Sequence, residues 1–533
     1  MSAPPLGAQV NPPAPAATNA PVVPTPAGPP ALLPGAPTAT PLPTPSPTQP
    51  PIVVAPQSAV VAVGFDATLR VGSTLGAVTA TVGNPKVVAA RVDPSGQSVV
   101  LTGLAPGSTV VTIADARGIS ASVPVRVAYN AGSIAQNASV RITGDPASPD
   151  YVREIAIEVA RSVARARPDA QIVVSTDQVA YNAQLAQDDV ATLDVPVLIQ
   201  GNDYLPIDGT THVRVENVAA PKIQPDLLLV SDYPETLTED GVLFTADLKA
   251  EQPSRFLYFH YNPPGEPDRR IVLRAENLSH EPADVQFISG DGGPGPNEME
   301  VGHTSTKRFL VRYVQNEGRI ITIPANGSLN LFTQDLPAKS IDTNVLQLRV
   351  LNGGTVHLTL FAQNATQSAD APLATMLLLM GTHPHARGVY TIPEFHQSAL
   401  WNTTDPYLTL TVGKIPLPNL LYGQALAGDY GVLQSFVVKV QNPTGRPQPI
   451  AIYESPRGGR ATGTYLIDGV LIQSHQTPPF SRYKVRQYVV PARGFVRVTI
   501  ETIPDSGSTL PLQLIFAPDD GSVPPGAPGS PIY

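Results

Sequence analysis

Three short stretches of this chain bring together side chains that could do chemistry. Tyr258-Phe-His260-Tyr261-Asn-Pro-Pro sets two tyrosines and a histidine within four residues. Amphipathic rings stack on the apolar faces of sugars while imidazole and amide groups take the hydroxyls, so Tyr258, His260 and Tyr261 are the candidate ligand-binding residues. The competing reading is structural. Alternation places Leu257, Phe259 and Tyr261 on one face of a strand and Tyr258 and His260 on the other, as in a core strand. The pattern favours this second reading, because a dedicated carbohydrate module needs more than the single tryptophan, Trp401.

The second stretch is Thr382-His383-Pro384-His385-Ala-Arg387-Gly388, the tightest pair among nine histidines. On a strand, residues two apart share a face and can chelate, but Pro384 makes this a turn or an edge and no third ligand is specified. The third, Asp291-Gly-Gly-Pro-Gly-Pro-Asn297-Glu298-Met-Glu300, has oxygen donors beside glycines without the alternating acidic spacing of a calcium loop, and reads as a solvated turn. Walker, dinucleotide, G-x-S-x-G and H-E-x-x-H motifs are absent from the sequence. Paired carboxylates of a hydrolase leave no local signature, so they stay open as a minor alternative. No catalytic residue, metal site or cofactor is assigned.

The elements that position these residues are strands. Only 14% of the 533 residues are charged, Pro numbers 60 and Gly 42, and Val, Thr, Leu and Ile recur in short bursts, the profile of β domains rich in turns. The net charge of −9 is spread thinly and carries no Lys/Arg cluster, which argues against nucleic acid as a partner. With no cysteine, disulfides, thiolate metal sites and thiol nucleophiles are excluded together. The longest apolar run, Ala374-Thr-Met-Leu-Leu-Leu-Met380, is far short of the ~20 residues that span a bilayer and reads as a buried strand.

The chain also repeats itself. Ile271-Val-Leu-Arg-Ala-Glu-Asn277-Leu-Ser-His-Glu-Pro282 returns 165 residues later as Phe436-Val-Val-Lys-Val-Gln-Asn442-Pro-Thr-Gly-Arg-Pro447. Gly292-Gly293 answers to Gly458-Gly459, and Pro324-Ala-Asn-Gly327 to Pro491-Ala-Arg-Gly494. Landmarks in one order at nearly constant offset predict a duplicated β domain. The residues that recur belong to turns and strand edges; the histidines, acids and aromatic rings do not recur with them.

These patterns predict six segments. Residues 1–51, about one-third proline and without charge, form a disordered spacer. Residues 52–128 carry seven short alternating strands, the pattern of an Ig-like β-sandwich. Residues 129–222 form a small α+β domain. It holds the one helix announced by the sequence, capped by Ser148, opened by Pro149, with Val152, Ile155, Val159 and Val163 on one face and Pro168 as its stop. Residues 223–366 and 367–519 are the two sandwich repeats, and 520–533 are a flexible tail.

Within the first sandwich, Gly64, Asn84-Pro85 before Val87, and Leu104-Ala-Pro106-Gly107-Ser-Thr109-Val-Val-Thr-Ile113-Ala-Asp115 resemble the N-terminal domain of pilus-formation and secretin-type outer-membrane proteins, itself similar to bacterial Ig-like modules. The resemblance implies a bacterial envelope module over residues 52–128. The channel-forming secretin domain of that family has no counterpart downstream. Taken together, the expectation is a mainly β, multidomain array of sandwiches with one small α+β domain. It is expected to act as a non-enzymatic, exported envelope or surface scaffold, periplasmic or on the cell surface, although no leader is visible. Its partners would be envelope proteins or a polysaccharide. A carbohydrate-binding adhesin is the alternative reading.

Overall fold

The computed structural model describes residues 50–373, 375–421 and 423–521. The proline-rich spacer expected over 1–51 and the tail expected over 520–533 lie almost wholly outside these residues. The described residues are mainly β, in several sheets, with two α-helices among them.

Alternating β-branched residues build the first sandwich. One sheet has the spatial order Val53–Ala55, Asp66–Gly72, Ser98–Gly103, Val88–Val92, and the other Ala59–Ala62, Ser120–Ala128, Gly107–Ala114, Thr79–Val82. Alternate residues point inward, so Leu69, Val88, Val99, Leu101, Val111 and Ile113 are sealed between the sheets. The expected strands are all present, and Val53–Ala55 adds one.

Helix α1, Pro149–Val163, starts as its capping signals require: the Ser148 side chain accepts from the Tyr151 amide at 3.3 Å. Val152, Ile155, Ala156, Val159 and Ala160 pack it on the sheet below. It ends at Val163, five residues before Pro168, because Arg165–Ala166 leaves the helix to pair with Gly132–Ser133. The strands flanking α1, Asn137–Thr143 and Gln171–Val174, are not neighbours. A long hairpin, Val190–Gln200 with Ile207–Asn217, lies between them.

That sheet does not stop at position 222, where the sequence analysis placed a boundary. Asn137–Thr143 pairs antiparallel with Gly318–Ile323, and the sheet continues through Ala283–Ser289, Ser340–Asn352, Ser254–Asn262 and Leu227–Ser231 to Arg387–Tyr390. Ten strands form one continuous surface over two separate apolar cores. A four-stranded sheet, Gly241–Leu248, Val356–Asn364, Arg269–Asn277, Gly327–Leu336, closes the second core from its other side.

A second helix, α2, Glu298–Val314, was not announced by periodicity. Its buried face mixes Val301, Phe309, Leu310 and Tyr313 with Gly302, Ser305 and Thr306, which gives a weak apolar stripe. Small residues are needed there because the backbones approach closely: a Cβ on Gly302 would lie 1.8 Å from the Ser506 carbonyl oxygen, and one on Gly292 2.2 Å from that of Val301. Thus α2 is wedged between the long sheet and the last part of the chain, where Phe309, Leu310 and Tyr313 meet Leu433, Leu466 and Ile503.

The remaining strands form a sandwich of a five-stranded sheet, Glu394–Asn402, Leu433–Gln441, Phe495–Thr502, Thr464–Ile467, Val470–Gln473, and a four-stranded sheet, Leu408–Val412, Leu512–Pro518, Gln448–Pro456, Tyr483–Val490. Two corners of the molecule are built alike. The Asn277 amide donates to the Glu281 carbonyl at 2.8 Å and to those of Ile323 and Pro324, while its oxygen accepts from the Ser279 amide and hydroxyl. Asn442 donates to the Arg446 carbonyl at 2.8 Å and to those of Val490 and Pro491, and accepts from the Thr444 amide and hydroxyl.

Candidate functional site

The three stretches singled out above come to different ends. Tyr258 and His260 are fully buried in the central strand Ser254–Asn262, and Tyr261 is half-buried at its end. The Tyr258 hydroxyl donates to Asp342 Oδ2 at 2.7 Å, and its ring stacks on Phe332 with centroids 5.6 Å apart. His260 spans Ser231 Oγ at 3.1 Å and the Pro234 carbonyl at 2.9 Å, and burial pushes its pKa down to about 4, so it is neutral. Neither ring offers a face to a sugar. The whole strand is covered on both faces, which is why alternation could not single out an exposed side.

Asp291 also departs from expectation. It is not a solvated turn residue: Oδ1 is sealed without a partner, and burial raises its carboxyl pKa. Nearby Asp342 is pushed up to about 7 by its own burial, with the Asp291 charge adding to the effect. These acids and the Tyr258 hydroxyl form an internal polar cluster under α2. A larger cleft of about 510 Å³ beside α1 presents Glu154, Glu158, Arg312 and Arg319, but these are paired with one another, Arg312 with Glu154 and Arg319 with Glu158, each at 2.7 Å.

The most chemically equipped opening lies at the seam between the long sheet and the C-terminal sandwich. It is a pocket of about 280 Å³ whose polar walls are Asp232, Glu235, Glu298 and His385, with Tyr430 and the 506–509 loop opposite. Each wall has a local cause. Asp232 and Glu235 lie on the turn that follows strand Leu227–Ser231, and His385 just precedes its neighbour Arg387–Tyr390. The Asp232 amide donates to the Ala386 carbonyl at 2.9 Å, which locks turn and strand together. Arg387 reaches across to the Tyr233 carbonyl at 3.1 Å and the Leu379 carbonyl at 2.7 Å. Glu298 is the first residue of α2, and its backbone lies against Gly507.

His385 stands between the two acids, with Nδ1 3.3 Å from Asp232 Oδ2 and Nε2 2.9 Å from Glu235 Oε2. The hydrogen bond to Asp232 raises the imidazole pKa against the opposing effect of burial. Burial pushes Asp232 up to about 6, and it raises Glu298 with help from the Glu235 charge. One ligand atom from each of Asp232, Glu235 and His385 lies within 4.8 Å of the other two. These are the only three residues so arranged among those described. His385 was visible in the sequence, but its partners are Asp232 and Glu235 from more than 140 residues upstream, while His383 is exposed. The pair Asp232 and Glu235 left no signal beyond two acids three residues apart. The buried aromatic cluster is their support, since His260 holds the Pro234 carbonyl and the Tyr261 amide donates to the Glu235 carbonyl at 2.7 Å.

Residues 55–128 match the family described as the pilus formation protein N-terminal region, which takes in the first sandwich. No curated protein matches the chain. Among solved structures, a tri-modular endo-β-1,4-glucanase from Bacillus licheniformis is 9% identical over 31% of this chain and 38% of its own, with a TM-score of 0.13. Drosophila N-cadherin EC1-4 is 15% identical over 32% of this chain and 50% of its own, with a TM-score of 0.13. A Bacteroides ovatus glucan-utilisation protein, SGBP-B, is 10% identical over 57% of this chain and 71% of its own, also at 0.13. The chain thus spans half or less of the length of the first two. Among the described residues no helix is long and apolar enough to cross a membrane.

Proposed function

We propose that this chain is a non-enzymatic, exported bacterial envelope or surface scaffold that works beside a pilus or secretion system through protein partners. The observation that carries the reading is the pilus-formation N-terminal domain over residues 55–128, followed directly by a β array. The array is tied across its seams by polar contacts, which suits a part that transmits position rather than one that turns over substrate. Arg255 of the long sheet is fully buried against Glu394 of the C-terminal sandwich at 3.0 Å. On α2, Tyr313 donates to the same carboxylate at 2.8 Å, and His303 meets Asp505 at 2.7 Å. We also read the matching corners at Asn277 and Asn442 as the trace of a duplicated sandwich, as the sequence landmarks predict.

Cell fractionation of the native host tests the assignment. Recovery with periplasmic or outer-membrane fractions, together with co-purification of pilus or secretion components that depends on residues 55–128, is the expected result. A wholly cytosolic pool overturns it. Of the candidates for the polysaccharide-binding alternative, Tyr258 and His260 lie in the interior and Tyr261 is half-buried, and a glycan array is expected to show no binding that Tyr258→Ala selectively removes. For a hydrolase the seam pocket offers Asp232 and Glu298, both with raised pKa values; conversion of a glycan by wild type and not by Glu298→Gln would establish one.

A further inference from the structure

We propose that Asp232, Glu235 and His385 form a binding site for one divalent transition-metal ion of the zinc class, placed at the seam pocket. The donor set of one imidazole nitrogen and two carboxylate oxygens suits zinc and its neighbours, whereas calcium and magnesium take oxygen alone. Metal–ligand bonds of about 2.0–2.2 Å put donor atoms about 3–3.5 Å apart in a tetrahedral site. Only one ring nitrogen can serve a single ion, so one present separation, 2.9 Å from Nε2 to Glu235 or 3.3 Å from Nδ1 to Asp232, already matches; the other acid sits at the opposite nitrogen, within the 4.8 Å that holds one atom of each residue, and has to be drawn in by side-chain rotation.

Three further features point to a ligand rather than to a plain ion pair. Asp232 Oδ1 is sealed from solvent and accepts no hydrogen bond, so this acid holds an unused donor atom at the cluster. The scaffold is pre-organised: the Asp232 amide is fixed to Ala386, Arg387 ties the turn to the following strand, and neutral, buried His260 holds the Pro234 carbonyl from behind. Glu298 brings another carboxylate to the pocket wall, so four potential anionic or neutral donors face one space with no lysine or arginine lining it. Three protein donors leave a coordination position open to the pocket, available to water or to a donor from another molecule. A bound ion would cross-link the turn at 232–235 to the segment before Arg387–Tyr390, stiffening the edge of the long sheet from which the chain passes into the C-terminal sandwich.

The test is calorimetric titration of the tag-free, full-length, metal-stripped chain with zinc chloride. The expected result is one saturable site, a rise in melting temperature on zinc addition, and a visible ligand-field spectrum when cobalt(II) is used in its place. Asp232→Asn, Glu235→Gln and His385→Gln are each expected to weaken binding at least tenfold, while His383→Ala, at an exposed histidine, leaves it unchanged. Circular dichroism of the metal-free variants separates loss of a ligand from loss of fold, and the cobalt spectrum of wild type stands without any variant. Absence of saturable binding to wild type, or equal binding by all three variants, overturns the proposal. Neither outcome bears on the scaffold assignment, which rests on residues 55–128.

Discussion

Arg255 and Glu394, 139 positions apart, make an ion pair 3.0 Å long in which neither side chain has more than a trace of solvent exposure. The guanidinium also donates to the Pro393 carbonyl at 2.8 Å, and Tyr313 shares the carboxylate. The pair therefore pins strand Ser254–Asn262, helix α2 and the start of strand Glu394–Asn402 to one point. Removing one partner leaves the other as an uncompensated buried charge. Glu394→Ala is expected to lower stability by about 3–5 kcal/mol in urea unfolding, and Arg255→Met with Glu394→Leu by clearly less. A loss in the double variant as large as the sum of the losses in Arg255→Met and Glu394→Leu alone would show that the charges are not coupled.

Helix α2 is locked to the C-terminal sandwich by the absence of a side chain. Gly302→Ala places a methyl group where the Ser506 carbonyl stands, and a backbone neighbour cannot rotate away. The variant is expected to lose at least about 1–3 kcal/mol. Amide exchange should speed up over residues 503–509 while the sandwich at 53–128 is unaffected.

Glu454 is buried beside the Tyr465 hydroxyl, which donates to it at 2.7 Å, and burial pushes its pKa up to about 7 from an ordinary 4.5. Because the folded state holds the proton more tightly than the unfolded chain, this group's stabilising contribution is full below about pH 4.5 and is lost as pH rises through about 7. The span corresponds to about 3 kcal/mol. Glu454→Gln should flatten that part of the stability profile, read as urea midpoints between pH 5 and 8, which span roughly the interval where unfolded and folded protonation differ.

The corners at Asn277 and Asn442 should respond alike. Replacing either by alanine strands buried carbonyls and is expected to cost about 1–3 kcal/mol. Aspartate at either site removes the amide donor while keeping the acceptor, so it should be nearly as damaging at neutral pH. Very different losses at the two positions would mean that matching geometry does not carry matching energy.

These asparagines also mark how far the sequence could be read. Their spacing exposed the matching corners because a buried amide that must satisfy several carbonyls tolerates few substitutes, and the turn residues around it are equally constrained. The first sandwich was legible for a similar reason: its strands face solvent on one side, so buried Leu69 stands between Thr68 and Arg70, and buried Val125 and Val127 flank exposed Arg126. Strand Ser254–Asn262 has no wet face, and so the pattern left Tyr258 and His260 open to a binding role that their burial removes. Helix α2 escaped notice because Gly302, Ser305 and Thr306 replace apolar residues on its packed side. Asp232 and Glu235 became candidates only when the pairing of Leu227–Ser231 with Arg387–Tyr390 brought His385 to them. Hydrophobic periodicity reports local burial; it holds no record of which distant strands become neighbours.

The long sheet imposes an order on synthesis. The sandwich at 53–128 has all its strands as soon as Ala128 leaves the ribosome or a translocon. Asn137–Thr143 must wait for Gly318–Ile323, and the far edge of the same sheet is not sealed until Arg387–Tyr390 arrives. Such distant pairing is slow to form and leaves strand edges bare in the meantime. For about 250 residues of elongation the nascent chain carries a finished N-terminal module ahead of an unfinished sheet, so a chaperone that shields open β edges would find its substrate in this interval.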